Sequence, residues 1–275
     1  MIVVLSSPGA AGVLYAADVG DGALNDGSVE RAALWGRDHP HLGEIAVASV
    51  SPTLAIAMSA GAVRKARPPL DPNEDAAAAA SGRHVDLIAV ADAHLGCEAA
   101  ELAVAAVLDC LDDETFGLGD GLVDVIFRAG MAVQRGTSHP SCPHPQSRTT
   151  IAFAVIGDGA FHWISMGDSS VALVSTTGVE RLDVPRTTFL GYRFTVDELD
   201  TLVTRGTRTW MPGDVLVLAT DGLESVGSIE RRPADAVASV VLNPSDALAR
   251  ARGLVQAALA SRASDAVTVA VAVSP

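Results

Sequence analysis

Four aspartates stand at the margins of short apolar runs. Asp92 closes LIAVAD, Asp168 follows Ser165-Met166-Gly167, Asp221 closes VLVLATD, and Asp265 precedes AVTVAVAV. One aspartate in such a place is ordinarily a turn residue, because its side chain bonds nearby backbone. Four together suggest more. If these ends converge, the repulsion among the carboxylates calls for a cation, and an all-oxygen donor set suits Mg²⁺ or Mn²⁺. A small residue beside each acid lets backbone and water come close. His94 lies two residues beyond Asp92, at the lip of the same run, where a proton donor would face solvent.

The elements that must hold these acids are legible in the apolar pattern. Runs bounded by Gly, Asp or Pro predict strands at 1–5, 53–59, 86–92, 150–157, 161–167, 170–176, 214–221 and 266–273. GDGA at 157–160 reads as a tight turn between two of them. Helical spacing predicts a helix over 97–113, with Ala100, Val104, Val107, Leu108 and Leu111 on one face. A second helix is expected over 120–135, through Leu122, Val125, Ile126 and Met131. A third should run to 259, with Ser245 as its N-cap and Asp246 in its first turn. Strands grouped apart from helices point to an α+β fold of antiparallel sheets covered by helices. Residues 1–50 read as an N-terminal elaboration holding a short helix and a loop, packed on a main domain over 51–275. The Pro-rich stretches at 64–75 and 136–148 read as irregular loops. In the second, His139, Cys142 and His144 have ligand-type side chains but no fourth partner, so a surface loop is expected.

Bulk properties narrow the function class. A chain of 275 residues can bury a sizeable core. A formal net charge of −14 argues against nucleic acid or an anionic membrane as partner. Cys97, Cys110 and Cys142 show no disulfide or metal spacing, and no secretory leader or membrane span stands out. A cytoplasmic protein is expected. Cys97, at the start of the first helix, is expected to be an inert thiol.

Six stretches then fall into one order: NED at 73–75, VADAHLGCEAAELA at 90–103, SRTT at 147–150, MGDSS at 166–170, LVLATDGLES at 216–225 and SDAVTVAVA at 264–272. Together they resemble the metal-dependent protein phosphatases (the PPM, or type 2C, family of Ser/Thr phosphatases). The resemblance implies a four-layer α-β-β-α sandwich, two facing antiparallel sheets flanked by helices. It implies two Mn²⁺ or Mg²⁺ ions, with a weaker third. Asp92 would bridge the ions, the carbonyl of Ala93 would bind one, and Asp221 and Asp265 the other. Glu74 and Asp75 would sit close by, largely through water, and Asp168 would help form the third site. His94 would protonate the leaving alcohol. The implied substrate is a phosphorylated protein, hydrolysed at phosphoserine or phosphothreonine.

This chain departs from the family pattern at several points. Ala93 and Leu95 stand where glycines are usual, Arg148 stands within the usual Ser-Gly-Thr-Thr, and Ala266 replaces an Asn. The family's phosphate-binding Arg falls on Leu70, which leaves Arg64 and Arg67 as candidates. Two rival readings stay open: a phosphatase-fold binding module of weak or no activity, and a hydrolase of small phosphorylated metabolites.

Overall fold

The computed structural model describes residues 29–65, 69–82, 84–112, 121–226, 241–242 and 246–275. Among the described residues, thirteen strands form two antiparallel sheets. The first sheet runs in the order Glu30–Trp35 (β1), Asp75–Ser81 (β4), Asp86–His94 (β5), Ile151–Gly157 (β7), Ala160–Met166 (β8) and Thr204–Thr209 (β11). A short strand, Arg148–Thr149 (β6), pairs with the end of β5. The second sheet runs Gly178–Arg181 (β10), Ser170–Ser175 (β9), Val215–Ala219 (β12), Val267–Val273 (β13), Leu54–Ser59 (β3) and Ala46–Ser51 (β2). Four helices, Glu98–Asp109 (α1), Leu122–Thr137 (α2), Val196–Leu202 (α3) and Ala247–Ala260 (α4), complete the described structure.

Period-two alternation sorts each central strand into two apolar faces. In β5, Leu87, Ala89 and Ala91 pack with α1 and α2, whereas Ile88 and Val90 face the other sheet. In β13, Ala270 and Ala272 face the first sheet, and Val267, Val269 and Val271 pack against α4. Three apolar layers therefore separate four structural layers, which is the α-β-β-α sandwich expected.

The sequence-based expectations fail where local propensity opposes tertiary packing. β4 carries the run Ala76–Ala80, which by propensity favours helix. All five alanines are buried, alternating between the α1 side and the opposite sheet. Small side chains let Ala99, Ala100 and Ala103 of α1 approach closely from that side. Residues 30–50, expected to hold a short helix and a loop, instead supply an edge strand to each sheet, with one 3-10 turn at Gly36–Asp38. The strand expected at 1–5 lies outside the described residues. So does Ser245; the N-cap of α4 is Asp246, whose carboxylate accepts from the amide of Ala249 at 2.7 Å. The turn at 157–160 is as expected, with both central residues, Asp158 and Gly159, at positive φ.

Candidate metal centre

β5 does not stop at Asp92, as the apolar run suggests, but continues to His94. Asp92 sits opposite Asp75 in the β4–β5 register. By alternation both carboxylates point between the sheets, in line with Ile88, Val90, Ala77 and Ala79. They cap the inter-sheet core where it opens at one end of the sandwich. Asp221 arrives at that end from the second sheet, just past β12, and Asp265 from just before β13. Asp168 arrives from the turn between β8 and β9.

Backbone packing fixes this convergence. Gly222 follows Asp221, and a Cβ there would stand 1.8 Å from the carbonyl oxygen of Ala266. Only glycine lets the two acid-bearing segments approach so closely. Thr220 donates to Asp75 Oδ2 at 2.9 Å and accepts from the amide of Thr268 at 3.0 Å, which ties the second sheet to the first. The SRTT stretch clamps the other side. Thr149 Oγ1 and the amide of Thr150 both donate to the carbonyl of Asp92, and the amide of Asp92 donates to Thr150 Oγ1. Ser147 donates to the carbonyl of Gly96 and accepts from the amide of Ala99, pinning the turn into α1.

Burial and mutual charge act on these acids together. Burial, then the charges of Asp75, Asp221, Asp265 and Asp168, push the Asp92 carboxyl well above its ordinary range. Burial pushes Asp75 up to about 7, with Asp265 and Asp221 adding to it against two threonine hydrogen bonds. Asp221 rises to about 6 through burial and then Asp265 and Asp168. Five carboxyl groups thus act on one another at this end, Asp75 and Asp92 buried and Asp265 about one-third exposed. Asp168 Oδ1 and Asp221 Oδ1 are buried with no hydrogen-bond partner among the described residues. Orphaned buried carboxylate oxygens are costly, and a hard cation is the group that would satisfy them. The donor set therefore fits Mg²⁺ or Mn²⁺.

The remaining expected residues divide. Glu74 is buried beside the corner, but its Oε1 accepts from the amides of Gly96 at 2.7 Å and Asp71 at 3.3 Å, so it braces the turn into α1. Burial raises its carboxyl as well. The carbonyl-bearing Ala93 is an ordinary strand residue paired with Thr149, so the missing glycine costs nothing there. Leu95 is the strained position, at φ 66° and half exposed at the mouth. His94 is exposed, and the ring of Phe189 meets it edge-on at 4.9 Å. A cavity of about 760 Å³ joins His94 to Asp75, Asp92, Arg64, Lys65 and Leu70. Arg64 is exposed on that wall, and Leu70 is 59% exposed. Arg67 lies outside the described residues. Arg148, opposite His94 in the β5–β6 pair, lies over the Tyr192 ring at 5.2 Å.

Lys65 is the residue that sequence reasoning missed. Its ammonium forms an ion pair with Asp265. Burial alone would lower it, yet Asp265, Asp92 and Asp221 outweigh burial and hold it above its ordinary value. The available signal was its place directly after Arg64 in a segment leading toward the acids. His144, by contrast, bonds Glu98 at 3.1 Å and lies 3.6 Å from Asp71, so these three bring ligand-type atoms within 4.8 Å of one another. The His139 ring bonds its neighbour Ser141 in that loop. Cys97 is buried, and burial pushes its thiol far up, as expected of an inert cysteine.

Residues 70–261 match the protein phosphatase 2C family. Comparison with curated proteins gives no match. Among solved structures, the catalytic domain of the serine/threonine protein phosphatase PstP, in complex with two manganese ions, is 19% identical with a TM-score of 0.63, over 89% of this chain and 98% of that one. The Mycobacterium tuberculosis serine/threonine phosphatase PstP/Ppp is 19% identical, with a TM-score of 0.60, over 84% and 99%. MsPP from Mycobacterium smegmatis, a PPM Ser-Thr phosphatase in complex with cacodylate, is 22% identical, with a TM-score of 0.62, over 83% and 100%. At these identities the structural likeness carries the fold alone. Joined to the match over most of the sequence, and to acids gathered at one end of two facing sheets, it makes this chain a member of the protein phosphatase 2C family.

Proposed function

We propose that the acidic corner takes two Mn²⁺ or Mg²⁺ ions, with a weaker third, and that the protein hydrolyses phosphoserine and phosphothreonine on proteins. The observation that carries this reading is that the acid-bearing strand ends meet at one end of the sandwich, where Asp168 Oδ1 and Asp221 Oδ1 are buried without a hydrogen-bond partner among the described residues. In it, Asp92, the Ala93 carbonyl, Asp221 and Asp265 would hold these ions. Asp75 and Glu74 would stand beside them, largely through water, and Asp168 would help hold the weaker third. Such ions, when bound, supply an activated water and neutralise charge on the phosphate.

The protein's own groups do the rest. Asp92 is gripped through its amide and carbonyl by Thr149 and Thr150, so its carboxylate is held in place before substrate arrives. His94 stands at the cavity wall with its ring steadied by Phe189, and it gives a proton to the leaving seryl or threonyl oxygen. Arg64 and Arg67 are the candidates to grip the phosphate, as bidentate guanidinium donors do. A phosphorylated protein is the partner of this reading. Among the described residues no helix is long and apolar enough to cross a membrane. A cytoplasmic location completes the reading, supported by cysteines whose spacing fits neither a disulfide framework nor a metal site.

The test is hydrolysis of p-nitrophenyl phosphate and of a phosphothreonine peptide with Mn²⁺. Activity on both, abolished in Asp221→Asn, is expected. No activity on either contradicts the reading, and activity on p-nitrophenyl phosphate alone favours a small phosphorylated metabolite. A second reading is a phosphatase-fold module that binds without turnover. The ion pair of Lys65 with Asp265 favours it, since that acid is then already engaged. Phosphopeptide binding without hydrolysis would support it.

A further inference from the structure

The acidic corner carries a cation of its own, and the backbone around that cation is built to hold it there. The amides of Ala62 and Val63 both donate to the carbonyl of Ala263, at 2.7 and 3.2 Å. These bonds lay the segment before Lys65 alongside the segment before Asp265. Gly61, at φ 93°, makes the approach possible, since a Cβ there would stand 2.5 Å from the carbonyl oxygen of Asp265. The Lys65 ammonium then pairs with Asp265 Oδ1, an oxygen that also accepts from the amide of Ala266. Both side chains are about one-third exposed, so the pair sits on the outer rim, while Asp75 and Asp92 lie buried within.

An ammonium held against Asp265 Oδ1 would repel a divalent ion bound at the same carboxylate. We propose that Lys65 is an internal counter-cation that a divalent ion must displace from Asp265, so that this one side chain sets the affinity of the outer metal position. The inference rests on the metal reading of the corner. Its logic is electrostatic. Without metal, five acids in one corner repel one another, and the nearest positive charge relieves them. With metal, the same charge is a competitor and must withdraw. A lysine suits this exchange, because its charge is compact and its four-carbon stem is flexible. The inner position, against the buried Asp92 and Asp75, should be nearly indifferent to Lys65.

Titration calorimetry with Mn²⁺ alone, on the wild type, Lys65→Met and Lys65→Arg, tests this without recourse to activity. The wild type should show a tighter and a weaker step. Lys65→Met should tighten the weaker step by about fivefold or more, as loss of a partly exposed competing ion pair implies. The tighter step should change little. Lys65→Arg keeps the charge and should stay within about twofold of the wild type. The metal-free melting temperature should fall in Lys65→Met, which removes the counter-charge, and a folded melting transition confirms that the variant can be scored. Unchanged or weaker Mn²⁺ binding in Lys65→Met overturns the inference and leaves the metal reading intact. No Mn²⁺ binding by the wild type overturns both.

Discussion

The inner corner and the outer rim of the site are built on opposite principles. Asp75 and Asp92 lie on paired strands, buried, and held by threonines from both sheets. Arg64 and Leu70 lie exposed on the cavity wall, and Leu95 is exposed on the turn after β5. The inner groups are fixed by the packing of the whole sandwich, so their geometry survives small sequence changes. The rim is more exposed and freer to vary. The acids match the family motifs, and the departures at Leu70, Leu95 and Arg148 fall on connecting or edge segments, while those at Ala93 and Ala266 are buried beside the acids.

That contrast predicts a graded response to change. The largest effect should come from Asp92→Asn, which should cut phosphatase activity by at least about a hundredfold. The same variant should melt no lower than the wild type without metal, because it removes a repelled, buried charge. A drop in both activity and melting temperature would mean that Asp92 is structural. Next is Gly222→Ala, whose Cβ would collide with the Ala266 carbonyl. About 3 kcal/mol of lost stability is expected in chemical denaturation. A neutral result would show that the inner corner tolerates adjustment and would blur the contrast.

The inner acids also make stability depend on pH with a definite sign. The carboxyls of Asp75, Asp92 and Asp221 are raised in the folded, metal-free protein, to about 7 and about 6 for the first and last. The folded state therefore binds protons that the unfolded chain has already released. Their favourable contribution is complete below the ordinary aspartate range and is lost as pH rises through about 7. Metal-free melting temperature should fall across that window, and saturating Mn²⁺ should flatten the profile. A metal-free profile that rises there would contradict the crowding of the acids.

Changes at the rim should be smaller. Arg64→Ala should raise KM about tenfold with little change in kcat if this guanidinium grips the phosphate. A similar effect of Arg67→Ala instead would move that role along the segment. The mildest change is Leu95→Gly, which relieves a left-handed backbone at a non-glycine residue. It should stabilise the protein by about 1 kcal/mol, read by thermal melting.

The same contrast explains what could be read from the sequence. Most strands bearing acids announce themselves as apolar runs, so Asp92, Asp168, Asp221 and Asp265 were recognisable by position. β4 was not, because an alanine run has no strand signature until a helix and a second sheet press on it from both sides. Its partner position to Asp92, held by Asp75, was reachable only through the family motif. Lys65 was invisible for another reason. Nothing in a loop sequence tells that Gly61 and Ala263 will bring that loop against Asp265. The ligand-type residues of the 136–148 loop were read as plain surface, yet His144 folds back on Glu98 and Asp71 at the start of α1.

Those two acidic groups frame the decisive measurement: anomalous diffraction from crystals soaked in Mn²⁺. The account predicts two strong peaks against Asp92, between Asp75, Asp221 and Asp265. Peaks only at Asp71, Glu98 and His144, or none at Asp92, would contradict it.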